Sequence, residues 1–408
     1  MQIDSDIAIV GGGLNGPALA LALSGAGFSV TLIDAGPAGA RGQAGFDGRA
    51  YSLAAASQKL LTVLGVWEQV AESQPILDVI ASQGRAGEGA APFFLHFDHA
   101  ELDDGPMGWM VEDRHLSAAL STVLGDTPAI RQVSDSAVTG QEVGAAGVTL
   151  TLSTGATITA RLAVGCDGRR SGVAERAGIH RSGWSYDQTA LVCAVTHDHP
   201  HHGAAHQFFM PGGPLAILPL PGGHRSSIVW SLPTREAEAL KALDDAAFLE
   251  VLRPAFGDFL GEIALAGGRF SYPLSLSLAD HYVRPRLALA GDAAHGVHPL
   301  AGQGLNIGLR DVAALAEVLA ESHRRGEDPG TLPVLRRYER WRRFDATALA
   351  LGMDGMNRLF SNGNPLLSAM RGAGMGMVQA LPPLRRAFMR EAAGLGGATP
   401  RLLRGLPA

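Results

Sequence analysis

Two short apolar runs, Asp6-Ile-Ala-Ile-Val10 and Ser29-Val-Thr-Leu-Ile33, flank a glycine cluster and the helix-like stretch Pro17–Gly25. Apolar runs of this length bounded by glycine predict buried strands, so residues 4–66 read as strand, helix, strand. A third run, Arg161-Leu-Ala-Val-Gly-Cys166, leads into a short helix ending near Ala177. A fourth, Leu287-Ala-Leu-Ala290, precedes a helix predicted from about Leu305 to Leu319. Between Tyr186 and Pro233 the pattern changes to short strands broken by Pro and Gly: Leu191–Thr196, His206–Met210, Leu215–Leu220 and Ser226–Leu232. These predict an inserted antiparallel sheet. Helical segments near 235–255 follow, and the chain returns through Phe270–Leu276. Beyond Pro333 the pattern is helical to about Phe360, then over Pro365–Arg371, Met375–Leu381 and Leu384–Arg390. Leu366, Leu367, Met370, Met377, Val378 and Leu381 fit a helical stripe better than alternation.

The turn after the first strand, Gly11-Gly-Gly-Leu14-Asn15-Gly16, carries a mechanism. Gly11 permits a tight strand-to-helix turn, Gly13 lets backbone approach a pyrophosphate, and Gly16 lets the helix pack closely on the strand. Free N–H groups and the helix dipole favour phosphate charge there. Asp34 follows the next strand, about 20 residues on, where a carboxylate accepts bonds from a ribose diol. Alone, this motif does not separate NAD from FAD. The turn after the fourth strand, Gly291-Asp292 and then Pro299-Leu-Ala-Gly302-Gln303-Gly304, points to FAD. Asp292 stands at a carboxyl-end strand edge, where it can accept bonds from a ribityl chain. Helical N–H groups after Gly302 can face negative charge building on a reduced isoalloxazine. NAD needs no such second turn.

Composition narrows the rest. At 408 residues, with 46% hydrophobic and 18% charged positions, the chain suggests two or three folded units. Two cysteines, Cys166 and Cys193, exclude a disulfide framework, a zinc ribbon and a four-thiolate iron–sulfur cluster. No apolar run is long enough to span a bilayer and no signal peptide is evident, so a cytoplasmic location is expected, with contact to the inner face of the membrane as an option. Charge is uneven: residues 336–408 hold twelve Arg and four acids, a balance of +8 in a chain of net −6, which leaves −14 on residues 1–335. That basic tail packs on the protein's own body or meets a partner or an anionic membrane; nucleic acid is not expected.

The three glycine-containing fingerprints together resemble the single-component FAD-dependent aromatic hydroxylases of the para-hydroxybenzoate hydroxylase type. They are Gly11–Gly16, the Asp-Gly motif in Cys166-Asp167-Gly-Arg-Arg-Ser171, and Gly291-Asp292. Within that class the chain looks most like the UbiH/UbiF-type hydroxylases of ubiquinone biosynthesis. The carriers are Asp47-Gly-Arg-Ala-Tyr-Ser-Leu-Ala-Ala-Ala-Ser57, Val111-Glu-Asp-Arg-His-Leu116, Gly213-Pro-Leu-Ala-Ile-Leu-Pro219 and His298-Pro-Leu-Ala-Gly-Gln-Gly-Leu-Asn-Ile-Gly-Leu-Arg-Asp311. Asp34 stands where Glu is more usual, and Gly48 where Ala is common.

The resemblance implies an α/β fold with a Rossmann-like FAD-binding domain of the glutathione-reductase type over residues 1–72, 98–180 and 270–330. A substrate domain with the antiparallel sheet would take 73–97 and 181–269, and a helical segment 331–408. It further implies that Arg49 contacts the pyrophosphate, Arg114 the adenosine side and Asp167 the nucleotide near the route of the nicotinamide donor. Asp292 would hold the ribityl chain, with Gly11, Gly13, Leu14, Asn15, Gly16, Asp34 and Gly291 completing the cofactor cradle. Pro299 and His298 would lie by the reacting ring, with Gly302, Gln303, Gly304, Leu305 and Asn306 along the flavin edge. NAD(P)H, or a protein donor, would reduce FAD, and dioxygen would add to give a flavin hydroperoxide that hydroxylates a lipophilic prenylated phenol.

For the substrate pocket the apolar strands suggest His206, Phe208, Met210, Leu215, Ile217 and Pro219, although ordinary core packing explains such strands equally well. His206, His295 and His298 are candidate general bases only by location. The histidines in His197-Asp-His199-Pro-His201-His202 are crowded into one Pro-containing turn without closed-site spacing, so no metal is expected. Two other classes remain open: a non-oxygenating flavoprotein reductase, and a scaffold whose basic tail docks a quinone-biosynthesis complex. A different aromatic substrate is a further alternative.

Overall fold

Ser5–Val10 is apolar from Ile7 to Val10 because it lies inside a parallel sheet covered on both faces. The computed structural model describes residues 3–40, 42, 48–85, 89–102, 105–210, 212–297, 302–360 and 374–408. Across this sheet the order is Val283–Arg284, Leu287–Leu289, Thr157–Gly165, Ser5–Val10, Val30–Ile33, Ile130–Val133. The last five run parallel, and a hairpin, Val138–Val143 with Val148–Leu152, pairs antiparallel to Thr157–Gly165. Helices Asn15–Gly25 and Gln303–Arg324 pack on the sheet. The first is buried continuously from Gly16 to Leu23, which accounts for a sequence apolar all round rather than on one stripe.

The second sheet has nine strands. Its main path is His295–Gly296, Phe270–Ala279, Arg181–His197, Arg225–Pro233, Gly213–Leu220, Ala204–Met210, Asp78–Arg85, Gly89–Asp98. Ile263–Leu265 pairs off the path with Arg181–His197. All contacts are antiparallel except Ala204–Met210 with Asp78–Arg85. This corrects the boundary expected at residue 270: Phe270–Ala279 and His295–Gly296 belong to this sheet, not to the nucleotide sheet. Helices Thr234–Lys241 and Asp245–Phe256 close one face, where Phe248, Leu252 and Phe256 meet Leu191, Trp230 and Ile228. A small sheet of Ala50–Ala54, Gly108–Glu112 and Gln74–Ile76 lies beneath the other face.

Leu332–Phe360 packs along Gln303–Arg324, and Leu402 and Leu403 re-enter the main core. Pro382–Ala392 clamps the edge of the nine-stranded sheet. Arg385 reaches Glu101 at 2.7 and 2.8 Å, and the His96 N–H donates to Gln379 Oε1 at 2.9 Å. Of the stripe expected in this tail, Leu366, Leu367 and Met370 lie outside the described residues, Met377 and Leu381 are exposed and Val378 is half-buried. No helix among the described residues is long and apolar enough to cross a membrane.

Candidate active site

The motif-bearing turns meet because the parallel strands end at one edge and are stitched there by backbone. Gly11 N–H donates to Ile33 O, Cys166 N–H to Val10 O, and Ala290 N–H to Gly165 O, at 2.7–2.9 Å. Asp34, Gly11, Asp167 and Gly291-Asp292 therefore stand side by side, although they span most of the chain.

The first turn has no room for a side chain at Gly11, Gly12 or Gly16. Gly11 has φ +115°, and a Cβ there would lie 2.6 Å from the Cys166 carbonyl carbon. A Cβ on Gly16 would strike the Gly11 carbonyl, and one on Gly12 the Asp34 carboxylate. Asn15–Gly25 starts without a side-chain cap or an acid in its first turn, so its N-terminal N–H groups and dipole are left for an anion. Gly12, Gly13, Pro17, Asp34 and Ser117 line a cleft at this point. One Asp34 oxygen accepts the Gly36 N–H at 3.2 Å, leaving acceptor capacity toward the cleft. Arg114 sits one turn before Ser117 on helix Asp113–Gly125 and is held by Glu112 at 2.7 Å. Arg49 pairs with Asp113 at 3.4 Å. Both acids are buried, so the arginines are fixed from behind.

The second turn has the same features. Gln303–Arg324 also lacks a side-chain cap and a first-turn acid, and Gly302 at its start has φ +63°. Asn15 joins the two turns: a Cβ on Gly291 or Gly308 would collide with its amide, and its buried Oδ1 has no protein partner. Uncapped helix starts at both glycine turns, an acid facing each, and a buried orphan acceptor between them fit a ligand with a pyrophosphate and hydroxyls. These features suit FAD.

Several of the expected site residues are also bonded within the protein. Asp167 accepts from Ser171 Oγ at 2.5 Å and Val173 N–H at 3.0 Å, so its carboxylate holds the start of Gly172–Arg176. Asn306 makes four bonds, all to protein: Ala54 N–H and Ser57 Oγ donate to it, and it donates to Ser52 O and Gly302 O. Its side chain ties the start of Gln303–Arg324 to strand Ala50–Ala54. Gln303, Gly304 and Leu305 are half-buried on the first turn beyond. His298 and Pro299 lie outside the described residues.

Asp311 and Arg342 form a buried charge network behind the second turn to which the sequence reading gave no role. Asp311 is fully buried and accepts the Gly291 N–H at 2.9 Å, His295 Nε2–H at 2.5 Å and Arg342 Nε–H at 2.8 Å. Burial opposes its charge, but His295 and Arg342 outweigh this and hold its carboxyl below the usual value. His295 thus gives its Nε2 to Asp311 inside the protein, while its buried Nδ1 has no hydrogen-bond partner among the described residues. Asp292, by contrast, is 42% exposed, with Arg169 at 3.3 Å. Asp311 stood in the quoted motif without an assigned role; Arg342 is one of many tail arginines and gave no signal.

The substrate-pocket residues need correction. Phe208, Met210, Leu215 and Ile217 face helices Thr234–Lys241 and Asp245–Phe256 and fill a closed core. Pro219 is buried with the same alternation, and His206 packs on Phe259 with centroids 4.5 Å apart and the rings tilted by 48°. Burial pushes the His206 pKa down to about 4, so it is neutral and packed. The opposite face, where Ala194, Ala205 and Leu220 meet Met110, turns toward the nucleotide unit. There Val192, Val229, Ala216 and Gln207 form one cross-strand row, each half-exposed. On one side of this row Ala190, Ser231, Pro214 and Phe209 are all buried. His197 bonds Ser226 and the His199 carbonyl, and His201 bonds the Leu220 carbonyl and Gly203 N–H. No cluster suited to a metal occurs among the described residues.

A family described as FAD binding domain matches residues 4–350. The ubiquinone hydroxylase UbiL of Rhodospirillum rubrum is 47% identical over 99% of this chain and 93% of its own. The 3-demethoxyubiquinol 3-hydroxylase of Escherichia coli is 36% identical over 96% and 99%. In fold, p-nitrophenol 4-monooxygenase PnpA from Pseudomonas putida superposes with TM-score 0.80 at 20% identity, covering 98% of this chain and all of that one. With its two glycine turns joined at one sheet edge and these relatives over nearly its whole length, the chain belongs to the FAD-dependent aromatic hydroxylases, in the ubiquinone-hydroxylase family.

Proposed function

We propose that this enzyme hydroxylates the aromatic ring of a polyprenylated phenol in ubiquinone biosynthesis, using FAD, NAD(P)H and dioxygen. The observation that carries the reading is the half-open row of Val192, Val229 and Ala216, ending in Gln207, which faces the unit that bears both glycine turns. The names of the relatives from Rhodospirillum rubrum and Escherichia coli support the substrate class.

Bound FAD supplies the two-electron and dioxygen chemistry that no side chain here can perform. The protein's part is to hold and to exclude. N–H groups of Gly12, Gly13 and Asn15 receive the pyrophosphate, with Arg49 and Arg114 adding positive charge. Asp34 accepts from the ribose and Asp292 from the ribityl hydroxyls. The uncapped start of Gln303–Arg324 would turn its positive dipole to the flavin edge beside Gly302 and Gly304. The apolar row positions the phenol and keeps water away from the reacting atoms, and the Gln207 amide is its polar anchor.

Ala216→Phe tests the row. It should lower kcat/KM about 10²-fold by displacing the ring, while FAD content stays at the wild-type level. Ile217→Ala, one residue on but facing the helices, should instead cost about 2–5 kcal/mol of stability with little change in kcat/KM. Dioxygen uptake and thermal melts of the pair read both effects; the reverse assignment would move the substrate to the other face.

The pathway is tested by deleting the gene in its source organism and profiling quinones and precursors by mass spectrometry. A polyprenylated phenol lacking one ring oxygen should accumulate, rescued by wild type and not by Asp292→Ala. Unchanged quinones in a strain without a second hydroxylase would place the substrate elsewhere. Substrate-coupled dioxygen consumption by purified protein separates hydroxylation from a reductase or a scaffold.

A further inference from the structure

We propose that the outward faces of Leu332–Phe360, of the helical turns at 374–380 and of Pro382–Ala392 form a docking surface for an anionic lipid bilayer. This deepens the proposed function and rests on its lipid-tailed substrate.

Single exposed apolar side chains are ordinary, but here they gather on adjoining elements. Phe344 is 80% exposed, Met377 61%, Phe388 51%, and Leu351, Leu381 and Leu384 are also exposed. Leu384 and Phe388 lie one turn apart on Pro382–Ala392, Met377 and Leu381 stand on the turns just before it, and Phe344 and Leu351 lie two turns apart on one stripe of the long helix. Arg310 brings the helices together by pairing with Asp345 at 3.5 Å and Glu391 at 3.7 Å. Phe344 adjoins the first of these acids and Phe388 lies one turn from the second.

The charge on this surface is one-sided. Exposed Arg336, Arg340 and Arg343 lead into Phe344 on the long helix, and Arg386 and Arg390 flank Phe388. All four acids of residues 336–408 are committed to the protein. Glu339 accepts from Tyr282 N–H, Asp345 binds Arg342 and Arg310, Asp354 is buried, and Glu391 pairs with Arg310. Outward arginines among exposed aliphatic and aromatic side chains are the composition of an interfacial helix on acidic lipid. The remaining chain, at −14, is repelled by such a surface, so the molecule is steered tail first.

The surface is also well placed for a lipid tail. Pro382–Ala392 is tied through Arg385 to Glu101, on the turn that follows the edge strand Gly89–Asp98 of the nine-stranded sheet. On its inner side, Met389 joins the core with Ile76, Met110, Ala205 and Leu220 beneath the row assigned to substrate.

Co-sedimentation of the full-length holoprotein with phosphatidylcholine vesicles, with and without added phosphatidylglycerol, tests this. Wild type should bind the mixed vesicles and not the neutral ones. Arg343→Ala/Arg386→Ala should weaken binding about 25-fold, at roughly fivefold per arginine. Phe344→Ser/Phe388→Ser should also release the protein, with FAD content and melting temperature unchanged as the folding control. Equal binding to both vesicle types, or no loss in either variant, would overturn the proposal. So would sedimentation as a dimer that Phe344→Ser/Phe388→Ser converts to monomer, because the patch would then join two copies of the chain. Turnover of a short-tailed phenol in detergent by the same proteins tests the enzymatic reading separately: its absence in wild type would remove the substrate and leave the lipid binding standing.

Discussion

Gly11→Ala is expected to abolish FAD binding in a protein that otherwise keeps its fold. At φ +115° an L-residue is strained by about 1–3 kcal/mol, before any contact is counted. The added Cβ would also stand 2.6 Å from the Cys166 carbonyl carbon and 2.9 Å from the Asp167 nitrogen. Those atoms belong to the neighbouring parallel strand end, and neither can rotate away as a side chain would. Relief requires the two strand ends to part at the point where N–H groups must converge on a pyrophosphate. FAD affinity should fall at least about 10³-fold, since a ~1 Å misplacement alone is worth about 10² in a preorganised site. Titrating apoprotein with FAD by flavin fluorescence measures this. Gly25→Ala, at the far end of the same helix with open space around it, is the control and should bind FAD as wild type does. Wild-type affinity in Gly11→Ala would show that this edge does not hold the cofactor.

Asp311→Asn should be strongly destabilising. It leaves Arg342 buried with Asp345 as its one remaining acid partner, and strips His295 and the Gly291 N–H of a charged acceptor. Breaking a buried pair from one side costs about 3–5 kcal/mol, and Asp345 places this case near the lower end. The sign of the pH dependence follows from the depressed carboxyl of Asp311. Its contribution is complete above the unfolded value of about 3.9 and is lost as pH falls through the lower folded value. The melting-temperature gap between wild type and Asp311→Asn should therefore be widest near neutrality and close on acidification below about pH 4. A gap independent of pH would mean that the carboxylate charge is not what holds the turn.

The nucleotide turn was legible in sequence because each of its requirements is local. A tight turn, a close helix and an acid at the next strand end all leave marks within Gly11–Asp34. The second turn was legible for the same reason, and its partnership with the first could be inferred because one large ligand explains both. The face of the inserted sheet was not legible. Its central strands are largely apolar on both sides, so Phe208, Leu215 and Ile217 look no different from residues opposite them, and only the packed helices show which side is closed. Ala216 and Gln207, the half-open residues, are unremarkable letters in that stretch. The role of His295 was hidden for a different reason: its meaning depends on Asp311 and on Arg342, 47 positions later, in a stretch crowded with arginines.

The order of strands has a consequence for biosynthesis. The nucleotide sheet needs Leu287–Leu289 beside Thr157–Gly165, and the larger sheet takes its last strand, His295–Gly296, from the same late stretch. Its early hairpin, Asp78–Arg85 with Gly89–Asp98, must wait for Ala204–Met210 before it has a neighbour. Neither sheet can close until almost three-quarters of the polypeptide has left the ribosome, and pairings of such long separation form slowly. Meanwhile the nascent chain carries open strand edges that invite association with other chains. A chain cut short before Leu287 holds two unfinished sheets, and the cell meets it as a client for chaperones and proteases rather than as a weaker enzyme.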